Sequence, residues 1–301
     1  MRVQIVEKII LENLPSASGI EVFNKKIYII GDDSPFLYCL DFNFKLLNKI
    51  TLFKTVDFCS GRIPKHLKPD LEFMTKFAID EKNFLLTAGS GSRPERDKCF
   101  LIEINEDENQ FNVQELSLFP LYNWLKSRPE ITDNLVLNIE GLVASANHIY
   151  FFNRANNGVI IYKLKEFFEF ITRASEALPL PEIVKVELEG INGIRAGFSG
   201  ADIWGGKLFF TSSVEDTDDP VIDGPVLGSF LGWINITDFK NTIPAKIKAF
   251  TRINNQTGNF TGKVESVSVY EKISENEYLA LCVTDDDLGG SEILRLKIIL
   301  D

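Results

Sequence analysis

The chain has 301 residues, 45% of them hydrophobic, and a formal net charge of −11 at pH 7. A chain of this length can bury a large core, and its negative charge argues against nucleic acid and anionic membrane as partners. No apolar run approaches the roughly 20 residues of a membrane span.

Read in chain order, the first element is a strand at residues 2–11. It lacks the charged region, apolar block and cleavage site of a leader, so the expected location is the cytoplasm. Strands follow at residues 19–23, 26–31, 36–42 and 44–52, the first alternating and the second apolar. The same four-strand unit then returns. Its inner strands open at Ser18, Glu72, Glu140, Ser199 and Glu265, each followed by an alternating run and then a second apolar strand. The intervals from Ser18 to Tyr28, Glu140 to Tyr150 and Ser199 to Phe209 are equal; the other two units have longer hairpins. In the second unit Asp70 competes with Glu72 for the key place. Glu72 is chosen because Phe73 and Phe77 then fall on apolar positions.

An internal repeat of this size decides the fold before any other signal. The expected fold is all-β, a five-bladed β-propeller with four-stranded blades. It spans one domain, with blades at about 12–56, 66–119, 135–189, 195–252 and 262–301. The last unit has only three strands of its own, at residues 264–270, 277–284 and 292–299. The N-terminal strand supplies the fourth, closing the ring without an open edge. Two helical segments interrupt the strands, at residues 120–127 and, between the third and fourth strands of blade three, at residues 163–178.

In a propeller the inner strands line a shared axis, so Ser18, Glu72, Glu140, Ser199 and Glu265 are expected to converge. Three converging carboxylates repel one another unless a proton or a cation intervenes. The set is all oxygen, without His or Cys, which excludes a typical zinc site. Calcium, with its six to eight oxygen ligands, suits it better than magnesium. The alternative is that the serines cap turns and the glutamates bond to backbone amides. The loops after the second strands share this face. They bring Asp32, Asp33 and Asp285 as groups to orient or deprotonate water, and Arg93, Arg96, Lys98 and Arg154 as anion contacts. The two histidines, His66 and His148, make no catalytic triad. Cys39, Cys59, Cys99 and Cys282 lack metal-site spacing and read as buried free thiols.

The blade openings resemble those of the calcium-activated nucleotidases (apyrases), five-bladed propellers whose central calcium is held by Ser, Glu, Glu, Ser, Glu in blade order. The order here is Ser18, Glu72, Glu140, Ser199, Glu265. The strings Val22-Phe-Asn-Lys-Lys-Ile-Tyr with Asp32-Asp33 after it, Gly197-Phe-Ser199 and Lys263-Val-Glu265 look alike as well. There are departures. The family's Gly-Lys-Glu-Trp reads Gly91-Ser92-Arg93-Pro94, its paired arginines are reduced to Arg154, and the blade-four loop is acidic over residues 215–223. The chain is also similar to bacterial propellers described as phytase-like or esterase-like. These resemblances imply a calcium-dependent hydrolase of a phosphorylated small molecule. The alternative is a non-enzymatic, calcium-stabilised propeller that binds a sugar, peptide or protein. A six-bladed lactonase is disfavoured by the blade count and by the lack of Asn and Asp ligands.

Overall fold

The computed structural model describes every residue except 59–60, 106–109, 218–223, 241–244, 256–257 and 287. Its inner strands are Ala17–Phe23, Leu71–Ile79, Ile139–Ala144, Gly197–Trp204 and Lys263–Lys272, and each begins an antiparallel sheet. Four sheets have four strands in sequence order. Blade one, for example, runs Ala17–Phe23, Lys26–Gly31, Phe36–Leu40 and Leu46–Thr51. In the fifth, Ser291–Ile299 pairs antiparallel with the N-terminal strand Arg2–Ile10, Arg2 opposite Ile299 and Ile10 opposite Glu292. This is the strand-paired closure of a five-bladed propeller. A small hairpin, Asn254–Asn255 with Gly258–Asn259, pairs to the outer side of the N-terminal strand.

The period of two in each strand divides the side chains between the two faces of a blade, and each face packs on a different neighbour. Ile27 and Ile29 join a core between blades one and five, while Tyr28 and Ile30 join the core between blades one and two. Likewise Phe151 faces blade two and Phe152 faces blade four. The hydrophobic interior is thus five wedges, one per blade interface.

Near the axis, side chains stitch each inner strand to the next. Glu21 accepts from the amide of Lys76, Thr75 from Ala144, Asp202 from Val269 and Ser268 from Val22, at 2.6–3.2 Å. Lys76 reaches back into this layer, 2.5 Å from Glu21 and 3.7 Å from Asp202.

Among the described residues, three α-helices decorate the frame. Helix α1 (Phe119–Lys126) buries Leu121, Tyr122 and Leu125, and its Tyr122 hydroxyl donates to Gly89 O at 2.8 Å. The one-turn α2 (Pro129–Thr132) follows. Helix α3 (Leu164–Ile171) buries Leu164, Phe167 and Ile171. It stops well short of residue 178, because Arg173 turns left-handed at φ 61° just after the Thr172 cap. Cys39, Cys99 and Cys282 are buried free thiols, whereas Cys59 lies outside the described residues. Among the described residues no helix is long and apolar enough to cross a membrane.

Candidate functional site

Every inner strand carries a β-bulge at one equivalent place. The register shifts fall between Ala17 and Gly19, Leu71 and Phe73, Ile139 and Gly141, Phe198 and Gly200, and Val264 and Ser266. The bulged residues are therefore Ser18, Glu72, Glu140, Ser199 and Glu265. A bulge leaves one residue unpaired and re-aims its side chain, so five equivalent bulges present five side chains at one level of the ring. Small residues beside them let the strands close in. A Cβ at Gly200 would stand 2.6 Å from Ser266 Cα in the neighbouring inner strand.

Ser18, Glu72, Glu140 and Glu265 line one cavity, but the five side chains have different partners. The serines act as donors between blades: Ser18 Oγ bonds Leu71 O at 2.5 Å and Ser199 Oγ bonds Val264 O at 2.6 Å. Each accepting carbonyl belongs to the residue before the next blade's glutamate. Glu140 and Glu265 have cations supplied by the chain itself. Arg154 donates to Glu140 at 3.1 Å, to Ser213 Oγ at 2.9 Å and to Glu215 at 2.7 Å. Lys263 lies 3.0 Å from Glu265 and 3.4 Å from Glu215. Asn138 adds a 2.7 Å bond to Glu140. Gly197 makes room for the Arg154 side chain, since a Cβ there would meet Arg154 Cγ at 2.6 Å.

Glu72 is placed differently. It has no ion-pair partner among the described residues, and one oxygen each of Asp32, Asp70 and Glu72 lie within 4.8 Å of one another. Lys68 pairs with Asp32 and, at 3.2 Å, with Asp70; Arg96 holds Asp70 at 2.6 Å. Asp32 Oδ1 is buried without a hydrogen-bond partner among the described residues. Burial, reinforced by Asp70, Asp32 and Glu140, pushes the Glu72 carboxyl well above the usual range. Burial raises Asp32 to about 6 against the pull of Lys68. It raises Glu265 to about 8 against Lys263.

These groups line a cavity of about 690 Å³ at the mouth of the ring. Asp32, Asp33, Arg154 and Asp285, expected from the sequence, all lie in its wall. Asp33 is held by Arg62 and Ser16. Arg93 is not brought here. It is exposed at the cap of a 3₁₀ turn begun by Pro94, and Arg96, one turn on, faces the cavity instead. Lys98 pairs with Glu115 on the outside of its blade. Of the acidic loop after blade four's second strand, Glu215 enters the site, and residues 218–223 lie outside the described residues. Sequence reasoning missed Arg62, Lys68 and Lys263 as parts of the site. For Lys263 a signal existed: it stands two residues before Glu265, as the polar Asp70 does before Glu72 and Asn138 before Glu140.

The donor set near Glu72 is hard oxygen with an unpartnered buried carboxylate atom, which fits a calcium ion. Glu140 and Glu265 lie beside cations of the chain itself, Arg154 and Lys263.

Among known proteins, the model of a family of unknown function (DUF6929) matches residues 13–298. No curated protein matches the chain. Among solved structures, the glutaminyl cyclase of Myxococcus xanthus is 8% identical with a TM-score of 0.54, the match covering 99% of this chain and 97% of that one. An exo-1,5-α-L-arabinanase from a bovine ruminal metagenomic library is 8% identical with a TM-score of 0.50, covering 94% and 92%. At such identity the likeness is one of fold.

Proposed function

The chain belongs to the family of unknown function DUF6929, and we propose that it is a calcium-binding propeller that hydrolyses a phosphate ester or anhydride at the mouth of its ring. The observation that carries this reading is the meeting, in one cavity, of an oxygen cluster suited to a hard cation and cationic side chains suited to an anion. Glu72, Asp70 and Asp32 would hold the calcium, with Ser18 beside them in the cavity wall. Bound calcium would supply charge stabilisation to a phosphoryl oxygen. Arg62, Lys65 and Arg195 line the same cavity and bind the substrate's anionic group. Asp33 fixes Arg62 for this task. Asp285, at the end of blade five's second strand, orients the attacking water. The likeness of the blade openings to the calcium-activated nucleotidases supports the reading.

The test is phosphate release from a panel of phosphate esters and anhydrides, with calcium and with chelator. Calcium-dependent release that Arg62→Ala abolishes is the expected result. Calcium binding without release from any substrate would sink the hydrolase. It would leave the second reading, a calcium-stabilised module binding a sugar, peptide or protein on this face. One observation favours that alternative: Arg154, the expected phosphate contact, commits its guanidinium to Glu140, Ser213 and Glu215.

A further inference from the structure

The oxygen cluster already holds a cation of the chain's own. Asp32, Asp70 and Glu72 each bring one oxygen within 4.8 Å of the others. The Lys68 ammonium pairs with Asp32 and, at 3.2 Å, with Asp70 Oδ1. Asp70 Oδ2 is taken by Arg96 at 2.6 Å and by the Ser90 hydroxyl at 2.8 Å. Among the described residues, the cluster oxygens without a hydrogen-bond or ion-pair partner are Asp32 Oδ1, which is buried, and those of Glu72. Asp32 as a whole is only 9% exposed.

Calcium binds its oxygens at about 2.3–2.6 Å. An ion held by all three acids therefore sits against the same two carboxylates that Lys68 joins. Two cations that close together in a site largely shielded from water repel strongly. One of the chain's cations has to yield, and Lys68 and Arg96 are not equally fixed. Arg96 also donates to Ser92 Oγ at 2.9 Å, and its carbonyl accepts from Gly91 at 2.8 Å. Lys68 has two ion-pair partners among the described residues, both in the cluster. It carries its charge on a flexible four-carbon stem. It also lines the open cavity, together with Arg62 and Lys65 from the same connection between blades one and two.

We infer that Lys68 is a tethered cation that stands in for the metal, and that calcium binds by displacing its ammonium into the cavity beside Arg62 and Lys65. This rests on the calcium reading of the cluster and adds regulation to it. Metal and ammonium bind in exchange, so Lys68 sets the calcium concentration at which the site fills. The released ammonium then faces the cavity from the same segment as the two anion contacts.

The test uses the full chain in two measurements. In calorimetric titration with calcium chloride, Lys68→Gln should bind calcium about tenfold or more tightly than the unsubstituted protein. In the unsubstituted protein, an amine-acylating reagent read by peptide mass should modify Lys68 several-fold faster with calcium than with chelator. Lys76, paired with Glu21 outside this cavity, is the internal control and should react equally in both. This second measurement needs no substitution, so it decides the matter where the variant fails to fold. Calcium binding that leaves Lys68 protected overturns the displacement and leaves the calcium site standing. So does a folded Lys68→Gln variant that binds calcium no more tightly than the unsubstituted protein. Binding by the variant alone upholds the competition and overturns the calcium reading of the natural chain. Binding by neither protein overturns both.

Discussion

On the side of blades three to five, Glu140, Glu215 and Glu265 share two cations, Arg154 and Lys263. On the side of blades one and two, Asp32 and Asp70 meet Lys68 and Arg96, while Glu72 stands beside them with no ion-pair partner among the described residues. Glu72, Glu140 and Glu265 occupy equivalent bulges, so backbone geometry does not separate the two sides. The supply of countercharge does. A set of ion pairs holds neighbouring blades together, and an acid without an ion-pair partner among the described residues is poised to take a proton or a metal. One repeated backbone device thus carries paired carboxylates on one side and an acid without an ion-pair partner among the described residues on the other.

Removing the shared cation is the hardest test of this contrast. Arg154→Met leaves Glu140 and Glu215 largely buried without their guanidinium and should cost about 3–5 kcal/mol in urea denaturation. An unchanged midpoint would mean that the network adds nothing net. The two glutamates can then be set against each other. Glu140→Gln removes a charged hydrogen-bond partner and should lose about 1.5–3 kcal/mol. Glu72→Gln relieves like-charge repulsion and should raise stability in chelator by about 1 kcal/mol, while weakening calcium binding in a titration. Equal effects of the two substitutions would erase the distinction.

Below the bulges, Glu21 sharpens the comparison, because it is buried with a cation yet raised from 4.5 to about 7, burial outweighing Lys76. A raised acid binds its proton more tightly in the folded state. Its stabilisation is present below pH 4.5 and is lost as pH rises through 7. The melting temperature should fall across that window, and the Glu21→Gln variant should show a flatter profile there. The smallest effect belongs to the serines. Ser18→Ala removes one interblade hydrogen bond, to Leu71 O, and should cost about 1 kcal/mol. Ser199→Ala should cost somewhat more, since Ser199 makes the corresponding bond to Val264 O and a second one with the buried Thr211 hydroxyl.

Much of the frame was legible because its signals are local. The unbroken apolar runs within Lys26–Gly31 and Glu277–Asp285 announce strands buried on two faces, and the missing fourth strand of the last blade points to the N-terminal one that supplies it. Helix α3 was read too long, since apolar spacing alone does not reveal the left-handed turn at Arg173. The placement of Arg93 failed for a similar reason. Pro94 opens a 3₁₀ turn that leaves Arg93 outside and swings Arg96 inward to Asp70. The partners of Arg154 were out of reach, because Glu215 lies 61 residues away and meets it only when blades three and four are packed.

By itself the sequence determined the repeat, the five equivalent positions and the oxygen chemistry they carry, because hydrophobic period and residue type are written along the chain. Only the tertiary structure decided which of those carboxylates receives a cation and which is left over. Countercharge arrives across blade interfaces, where side chains distant in sequence compete for the same few ångströms of a narrow ring.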